Sequence, residues 1–332
     1  MLNTTGVLLP PSTHPSRIVE FARAAETAGF DTLWVVEDCF FNGGIAQAGV
    51  VLAVTSRMTV GIGILPAVAR NPAFVAMEIA TLAGLFPGRV VVGVGHGMPA
   101  WIRQVGAWPA SPLTLLQETL EAIRALLGGD RVTVNGRYVK LRDVQLAAPP
   151  TVVPKILAGV RGPKSLELAG RCADGVILAE PVTPEYLIYV KDQVGERIAG
   201  KNVVAYNIAA VEDDPSRAFA LARTALERIG EPDWAAQIAP LPFAAEFVAL
   251  RRRSPTREAF AASLPDDWVQ QLAVVGTQRS ARRRIEQLHE AGASDVVLIP
   301  AGPDPTTALA ALVPLVSTAW APRGAVRLPQ SE

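Results

Sequence analysis

Residues 28–36 read Ala-Gly-Phe-Asp-Thr-Leu-Trp-Val-Val, the end of an amphipathic helix followed at once by a short apolar run. A similar order of small residues, a polar step and an apolar run recurs in residues 172–178 and 291–299. Glycine is favoured directly after a helix because that position often turns left-handed. A wholly apolar strand suits a sheet that is buried on both faces. Each stretch is therefore predicted to join a helix to a strand of a parallel sheet.

Further apolar runs, separated by helical patterns, bring the number of predicted strands to about eight. They lie near residues 6–9, 59–65, 90–94, 155–159 and 203–211. Unbroken alternation of strand and helix favours an α/β fold of the closed TIM (β/α)8 barrel type, with an open doubly wound sheet as the alternative. We expect residues 1–332 to form this single domain.

Two segments interrupt the alternation and are predicted to be insertions. Asn135-Gly136 lies between alternating residues, which indicates a tight hairpin over about residues 130–147. Residues 231–267 are rich in Pro, Arg and Ala with scattered aromatic residues, and are interpreted as helical loops after the seventh strand. In a barrel such loops lie over the mouth, so this segment is a candidate lid.

The composition narrows the class of partner. Hydrophobic residues make up 50% of the 332 residues and charged residues 19%, enough for a large core. The 31 basic and 31 acidic side chains cancel, which argues against binding to nucleic acid or to an anionic membrane and favours a small-molecule substrate. Two cysteines form no disulfide framework, and no leader or membrane-spanning stretch is evident, so a cytoplasmic location is expected.

Barrel enzymes place their active sites on the loops that follow the strands. After the predicted second strand come Glu37, Asp38 and Cys39, of which Asp38 and Cys39 are predicted catalytic residues. The alternative is that Asp38 caps the next helix and Cys39 only fills space. Glu180, after the sixth strand, is a further catalytic candidate; alternatively it caps the helix that begins at Thr183.

The third predicted strand contains Gly61 and Gly63 between apolar residues. Glycine inside a strand usually marks a bulge or a close approach of the backbone to a ligand, so a flat ring is expected to lie here. The alternative is that both glycines relieve crowding in the barrel interior. Arg70 and Asn71 follow, and supply a cation and the start of a helix.

The loop after the fourth strand contains the stretch Gly93-Val94-Gly95-His96-Gly97-Met98. It does not match the dinucleotide-binding fingerprint, because Met98 stands where a third glycine belongs, so a Rossmann site is poorly supported. His96 lies between glycines directly after a strand and is a catalytic candidate, although a lone histidine is more often structural.

Residues 159–165 form a glycine-bearing turn that enters a helix with a proline and a lysine in its first turn. Backbone N–H groups and the helix dipole there would bind an anion, and a phosphate is expected; ordinary helix capping is the alternative. The sequence has no metal-ligand spacing and no Gly-x-Ser-x-Gly motif, so neither metal chemistry nor hydrolysis is predicted.

Taken together, these motifs resemble those of the luciferase-like flavin and deazaflavin oxidoreductases, over about residues 5–300. The branch that the chain resembles most is the coenzyme F420-dependent methylenetetrahydromethanopterin reductase type, with FMN-dependent monooxygenases as the nearest alternative. The motifs that carry the resemblance are Gly29-Phe30-Asp31-Thr32-Leu33-Trp34, Gly61-Ile62-Gly63-Ile64, Arg70-Asn71-Pro72, Pro87-Gly88-Arg89, Gly93-Val94-Gly95-His96-Gly97 and Gly162-Pro163-Lys164-Ser165.

The resemblance implies a bulge with a non-proline cis peptide at Gly63-Ile64 that supports the face of the ring, and a cofactor phosphate near residues 159–165. It also implies a homodimer through the helices next to the second and third strands. Many relatives have a histidine after the acid of the second strand, where this chain has Cys39. That difference puts in doubt the acid/base or ring-contact role of such a histidine.

The sequence therefore predicts hydride transfer between coenzyme F420 and a small organic substrate. An FMN-dependent two-component monooxygenase and a non-catalytic flavin-binding barrel are the alternatives. The predicted catalytic residues are Asp38, Cys39, His96 and Glu180. The predicted cofactor-binding residues are Gly61, Gly63, Ile64, Arg70, Asn71, Gly95, His96, Gly97, Gly159, Val160, Arg161, Gly162, Pro163, Lys164 and Ser165.

Overall fold

The computed structural model describes residues 3–316. The strands of this part of the chain are β1 (Thr4–Leu8), β2 (Thr32–Val35), β3 (Thr59–Pro66), β4 (Val90–Gly95), β5 (Val132–Asn135), β6 (Lys140–Val144), β7 (Lys155–Gly159), β8 (Gly175–Leu178), β9 (Asn202–Val211), β10 (Val274–Gly276) and β11 (Asp295–Pro300). The predicted domain extended to residue 332, and its last residues, 317–332, lie outside the described residues.

The sheet closes on itself, which confirms the predicted (β/α)8 barrel and excludes the open doubly wound alternative. Its strands follow the order β11-β1-β2-β3-β4-β7-β8-β9, every neighbouring pair is parallel, and β9 pairs with both β8 and β11. The short strand β10 extends the sheet at the carboxyl end of β9, with Val274 opposite Ala209. Because all eight barrel strands run the same way, the loops after them meet at one mouth.

Helices surround the barrel and form the inserted parts. They are α1 (Ile18–Ala28), α2 (Gly44–Val54), α3 (Pro72–Leu85), α4 (Pro99–Gln104), α5 (Pro112–Leu127), α6 (Pro163–Cys172), α7 (Pro184–Val194), α8 (Pro215–Ala225), α9 (Ala235–Ile238), α10 (Ala244–Arg253), α11 (Arg257–Ala262), α12 (Asp266–Leu272), α13 (Gln278–Ala291) and α14 (Pro305–Val316).

The three sequence stretches that predicted the fold are all helix-to-strand junctions, but their glycines serve two purposes. Gly29 and Gly292 follow α1 and α13 with φ of 98° and 117°, the left-handed conformation that favours glycine. Gly175 instead begins β8, where a Cβ atom would lie 2.1 Å from the carbonyl oxygen of Asn202. At that junction glycine allows β8 and β9 to approach each other.

A large apolar core lies between the barrel and its helices, and a smaller one fills the barrel itself. The buried residues of the inner core are Leu8, Trp34, Val36, Leu157, Ile177, Val204, Tyr206 and Val297. Two aromatic rings therefore occupy the lumen beneath the mouth, with the Trp34 and Tyr206 rings edge to face at 5.8 Å.

The hairpin lies where the sequence placed it, as the antiparallel pair β5 and β6. The second insertion is more extensive than residues 231–267, because α8 packs against β9 and β10 together with α11 and α12. A separate apolar core joins this insertion to the barrel mouth; Met98 and Ile299 pack against it. The sequence pattern of α8 resembles that of any helix that covers a barrel, so the start of the insertion was not visible in it.

Candidate active site

A backbone platform opens toward the mouth in the middle of β3. Gly63 and Ile64 are partly exposed, whereas Gly61, Ile62, Leu65 and Pro66 on either side are buried. The register between β3 and β4 shifts between Ile62 and Leu65, and the Gly63–Ile64 peptide is cis. The bulge and the cis peptide that the resemblance implied are both present. The exposed backbone of Gly63 and Ile64 offers a surface on which a flat ring can stack.

The space beside both glycines of β3 is filled from below by aromatic side chains. A Cβ atom on Gly61 would lie 2.3 Å from the Trp34 ring, and one on Gly63 would lie 2.0 Å from the Tyr206 hydroxyl oxygen. No real Cβ makes such contacts, so these positions require glycine for packing in the lumen. The crowding interpretation thus holds for both residues, and at Gly63 it coincides with the exposed platform.

The Ile64 side chain turns away from the platform into a recess made by glycines of the neighbouring strands. Cβ atoms on Gly93, Gly95 and Gly159 would lie 3.0, 3.2 and 2.4 Å from its carbon atoms. Gly95 and Gly159 were predicted to contact a cofactor directly. In the structure they make room for Ile64, the residue that shapes the platform.

Two carboxyl groups, Asp38 after β2 and Glu180 after β8, lie close enough at the mouth for their charges to interact. Burial raises the pKa of Asp38 and the pKa of Glu180, and the charge of Asp38 raises the Glu180 pKa further. Neither is a helix cap: Gly43 precedes α2, and the Thr183 hydroxyl accepts from the Tyr186 N–H at the start of α7. The capping alternatives therefore do not account for these two acids, and a raised carboxyl pKa in a cleft is typical of acid/base sites.

The charge of the Arg161 guanidinium acts on both carboxyl groups, and the same side chain contacts the second insertion. Its charge opposes the rise in pKa of both Asp38 and Glu180. It donates to the Asp233 carbonyl at 3.0 Å, approaches the Met98 sulfur at 3.8 Å and stacks over the Trp234 ring at 5.1 Å. The predicted lid, residues 231–267, thus contacts Arg161, which belongs to the predicted phosphate turn.

The turn at residues 159–165 has the properties of an anion site. Gly162 precedes α6 and no side chain caps that helix. Within residues 3–316, the backbone N–H groups of Arg161, Gly162 and Lys164 donate to no protein group. Lys164 is exposed, and no atom beyond its chain neighbours lies within 4 Å of the position that a Cβ atom on Gly162 would occupy. Ordinary capping by a side chain is therefore absent from this turn, and the N–H groups can bind a phosphate.

His96 lies with the anion turn rather than with the two carboxyl groups. Its Nε2 is 3.1 Å from the Ser165 hydroxyl, across from β4 to the first turn of α6. Burial lowers the pKa of the imidazole, so the neutral form is favoured near pH 7. Gly97 follows with φ of 71°, which turns the chain away toward α4. The structure thus separates the four predicted catalytic residues into two groups.

Cys39 sits beside Asp38, half-buried and joined to Phe40 by a cis peptide. Burial, together with the charges of Asp38 and Glu37, raises the pKa of its thiol. The side chain is therefore a neutral thiol at physiological pH and not a thiolate nucleophile. As a weak donor next to Asp38 it can contact a ligand, but it does not replace the proton chemistry of a histidine.

Arg70 and Asn71 serve the local structure in the described residues. Arg70 forms a two-pronged ion pair with Glu37, with Nη2 and Oε2 at 2.8 Å, and Glu37 also accepts from the Gly44 N–H at 2.9 Å. The Asn71 side chain caps α3 by accepting from the Ala73 N–H. Their predicted cofactor contacts would have to be made in addition to these interactions.

Two residues that the fold brings to the candidate site were not predicted from the sequence. Tyr206 lies in the middle of β9, and its hydroxyl reaches the platform from the opposite wall of the barrel. Trp234 belongs to the insertion and stacks on Arg161. One signal was available for the first: Tyr206 and Asn207 are polar residues inside an otherwise apolar strand.

Within residues 3–316 no group of three or more His, Cys, Asp or Glu side chains is placed to hold a metal ion. In the same residues no helix has the length and apolar character that crossing a membrane requires.

Comparison with known proteins gives a consistent result. The family model described as luciferase-like monooxygenase matches residues 1–295. The chain is 29% identical over 318 residues to a 5,10-methylenetetrahydromethanopterin reductase of Methanolobus tindarius, covering 92% of this chain and 97% of that one. It is 34% identical over 182 residues to an F420-dependent glucose-6-phosphate dehydrogenase of Nakamurella multipartita, covering 51% and 54%.

The fold is also shared with a solved structure, the coenzyme F420-dependent tetrahydromethanopterin reductase of Methanopyrus kandleri. The TM-score is 0.76 at 24% identity, with 96% of this chain and 99% of that chain covered.

Proposed function

This chain belongs to the luciferase-like monooxygenase family, and on that basis we propose that it is a coenzyme F420-dependent oxidoreductase. It transfers a hydride between the deazaflavin and a small organic substrate at the barrel mouth. The observation that carries the proposal is the combination of an exposed peptide platform at Gly63–Ile64 with an anion turn at residues 159–165. One holds a flat ring and the other holds the phosphate of its tail.

The residues present fit such a group. The platform is partly exposed in a buried strand, and the Tyr206 hydroxyl beneath it has no protein partner within residues 3–316. The N–H groups of Arg161, Gly162 and Lys164, with the Ser165 hydroxyl nearby, would receive the phosphate. A bound deazaflavin supplies the carbon that donates or accepts the hydride.

The deazaflavin is favoured over FMN by the relatives. The reductase of Methanolobus tindarius matches nearly the whole chain, and the dehydrogenase of Nakamurella multipartita is named for F420. An FMN-dependent monooxygenase is the second candidate, because the family is named for monooxygenases and the platform suits either ring. The third, a non-catalytic flavin-binding barrel, rests only on Cys39 in place of a histidine.

The carboxyl pair provides the proton chemistry of the proposed reaction. Two buried acids that repel each other ionise one after the other, so one carboxyl can hold a proton while its neighbour is a carboxylate. When an alcohol is oxidised, the carboxylate accepts the hydroxyl proton; in the reverse direction the acid returns it. Arg161 stabilises the ionised form, and His96 orients the anion turn through Ser165.

The direction of these pKa shifts predicts how activity depends on pH. Since the pKa values of Asp38 and Glu180 are raised, the base ionises at a higher pH than an ordinary carboxyl. For alcohol oxidation, kcat/KM should therefore rise with pH until that group is ionised.

We also propose that the protein is a cytoplasmic homodimer. Helix α3 is apolar nearly all round and exposes Phe74, Met77 and Leu85 by 62%, 50% and 66%, and Val50 of α2 is 42% exposed. A helix that is apolar on every side is usually buried on every side, which supports a second copy against α2 and α3. The two half-buried free cysteines are in keeping with a reducing compartment.

The experiment that tests the cofactor is an equilibrium titration. Purified protein is titrated with oxidised coenzyme F420 and, separately, with FMN, and the fluorescence of the six tryptophans is followed. We expect F420 to bind with a dissociation constant at least about tenfold lower than that of FMN. Tighter binding of FMN would make the chain a monooxygenase component instead, and binding of neither would overturn the proposal.

Turnover then separates an enzyme from a binding protein. Asp38→Asn and Glu180→Gln should keep F420 affinity and lose at least about a hundredfold in kcat with a substrate that wild type accepts. Retained turnover in both variants would remove the carboxyl pair from the mechanism.

A further inference from the structure

Tyr206 carries a buried polar group that the free protein does not use. Its side chain is 4% exposed, and its hydroxyl has no hydrogen-bond partner within the described residues. Burying a hydroxyl without a partner costs about 1–3 kcal/mol. A phenylalanine would fill the same aromatic position against Trp34 without this cost, so the hydroxyl calls for an explanation.

The position of the hydroxyl is specific. The tyrosine starts on β9 and crosses the lumen to β3 on the opposite wall, where its oxygen lies 2.0 Å from the Cβ position of Gly63. Gly63 is also the exposed residue of the platform. The Tyr206 hydroxyl therefore lies beneath Gly63, on the lumen side of the surface on which the ring is proposed to stack.

The hydroxyl is also kept in one protonation state. Burial and the charges of Asp295, Glu180 and Asp38 raise the Tyr206 pKa well above its ordinary value. The phenol therefore stays protonated at every physiological pH and keeps a proton that it can donate. Asp38 and Glu180 lie near enough to affect it electrostatically, yet neither accepts a hydrogen bond from it.

We propose that the Tyr206 hydroxyl is a cofactor-binding group, which donates a hydrogen bond to a polar atom on the inner edge of the flavin-like ring. This inference rests on the proposed function, since it needs a ring on the Gly63–Ile64 platform. It assigns the phenol to recognition of the ring, separate from the anion turn that recognises the tail.

The test compares Tyr206→Phe with wild type and with a matched control, Tyr189→Phe. Tyr189 lies on α7, where its ring stacks on Tyr186 at 6.0 Å, away from β3. Each protein is titrated with oxidised coenzyme F420, the visible absorption spectrum of the bound coenzyme is recorded, and the thermal unfolding midpoint of the free protein is measured.

We expect Tyr206→Phe to bind F420 about tenfold more weakly, with a shifted visible band, while Tyr189→Phe matches wild type. The midpoint of free Tyr206→Phe should equal or exceed that of wild type, because no hydrogen bond of the free protein is lost. If the hydroxyl only stabilised the fold, its removal would lower the unfolding midpoint and leave the F420 affinity and spectrum unchanged.

Unchanged affinity and an unchanged spectrum in Tyr206→Phe, with wild type binding F420 normally, would overturn the inference and leave the proposed function intact. If wild type itself bound no F420, the proposed function would fail and the inference with it. The wild-type titration distinguishes these two failures.

Discussion

At the scale of single residues, the floor of the site depends on two glycines, because a side chain at either position would collide with an aromatic residue. Trp34 occupies the space beside Gly61, and the Tyr206 hydroxyl occupies the space beside Gly63. The first obstacle is a rigid indole, whereas the second is mainly one oxygen atom. The two positions should therefore respond differently when a methyl group is added.

Gly63→Ala should destabilise the fold by about 2–4 kcal/mol, because the methyl group and the Tyr206 oxygen cannot occupy one place. In the Tyr206→Phe background the shortest remaining contact of that Cβ is 3.1 Å, so the same substitution should cost about 1–2 kcal/mol less. Urea unfolding of wild type, the two single variants and the double variant measures this coupling.

Gly61→Ala is the control: its contacts are with Trp34, so Tyr206→Phe should not rescue it. Additive effects at Gly63 would contradict the packing described here.

Below these glycines, a buried carboxylate holds the indole in place. Asp295 is 5% exposed, and its Oδ2 accepts from the Trp34 Nε1 and the Thr32 hydroxyl, both at 2.9 Å. Burial raises the Asp295 pKa to about 6. In the unfolded chain the same carboxyl has an ordinary pKa of about 3.9.

This difference makes stability depend on pH with a definite sign. Between about pH 4 and 6 the unfolded chain loses the Asp295 proton while the folded protein keeps it, so stability falls as pH rises through this window. The amide introduced by Asp295→Asn cannot ionise, and this variant should therefore gain stability relative to wild type as pH rises, by up to about 3 kcal/mol. Denaturant unfolding at about pH 5 and about pH 8 tests this, and about half of the expected change falls between these two pH values. An equal difference at both pH values would mean that Asp295 is already ionised in the fold.

At the scale of elements, the loops after the strands were predictable and the long-range contacts were not. The hydrophobic periodicity of the sequence predicts where β2, β4, β7 and β8 end. The residues that follow these ends, and that therefore lie at one mouth, are Asp38, His96, Gly162 and Glu180. Which of these residues touch depends on barrel closure and side-chain direction. The sequence could not indicate that His96 contacts Ser165 or that Arg161 joins the carboxyl pair to Trp234.

Helix α3 carries a prediction about assembly. Met77→Lys with Leu85→Lys places two charges on its exposed apolar face and should shift the protein from dimer to monomer in analytical ultracentrifugation. Ile188→Lys on α7 is the control, since Ile188 is 56% exposed on another helix and should leave the dimer intact. A double variant that stays dimeric would place the interface elsewhere, and a monomeric wild type would refute the proposed dimer.

At the scale of the whole molecule, the order of the elements predicts a parallel sheet that is covered on both faces. Closure of that sheet into a barrel is shown by the pairing of β9 with both β8 and β11. The site is less predictable because it includes lumen residues. Tyr206 looks like a core residue in the sequence, and its meaning appears only when β9 and β3 lie across from each other. The insertion was likewise underestimated, because α8 has the pattern of a barrel helix while packing on β10.

We propose that one molecule of F420 lies across the mouth, its ring on Gly63–Ile64 and its phosphate on the turn at residues 159–165. Hydrogen–deuterium exchange with and without oxidised F420 tests this position. We expect slower exchange in peptides that cover residues 61–66 and 159–166, and no change in the hairpin of β5 and β6. Protection that is absent from those two segments while F420 is bound, or that appears only elsewhere, would contradict it.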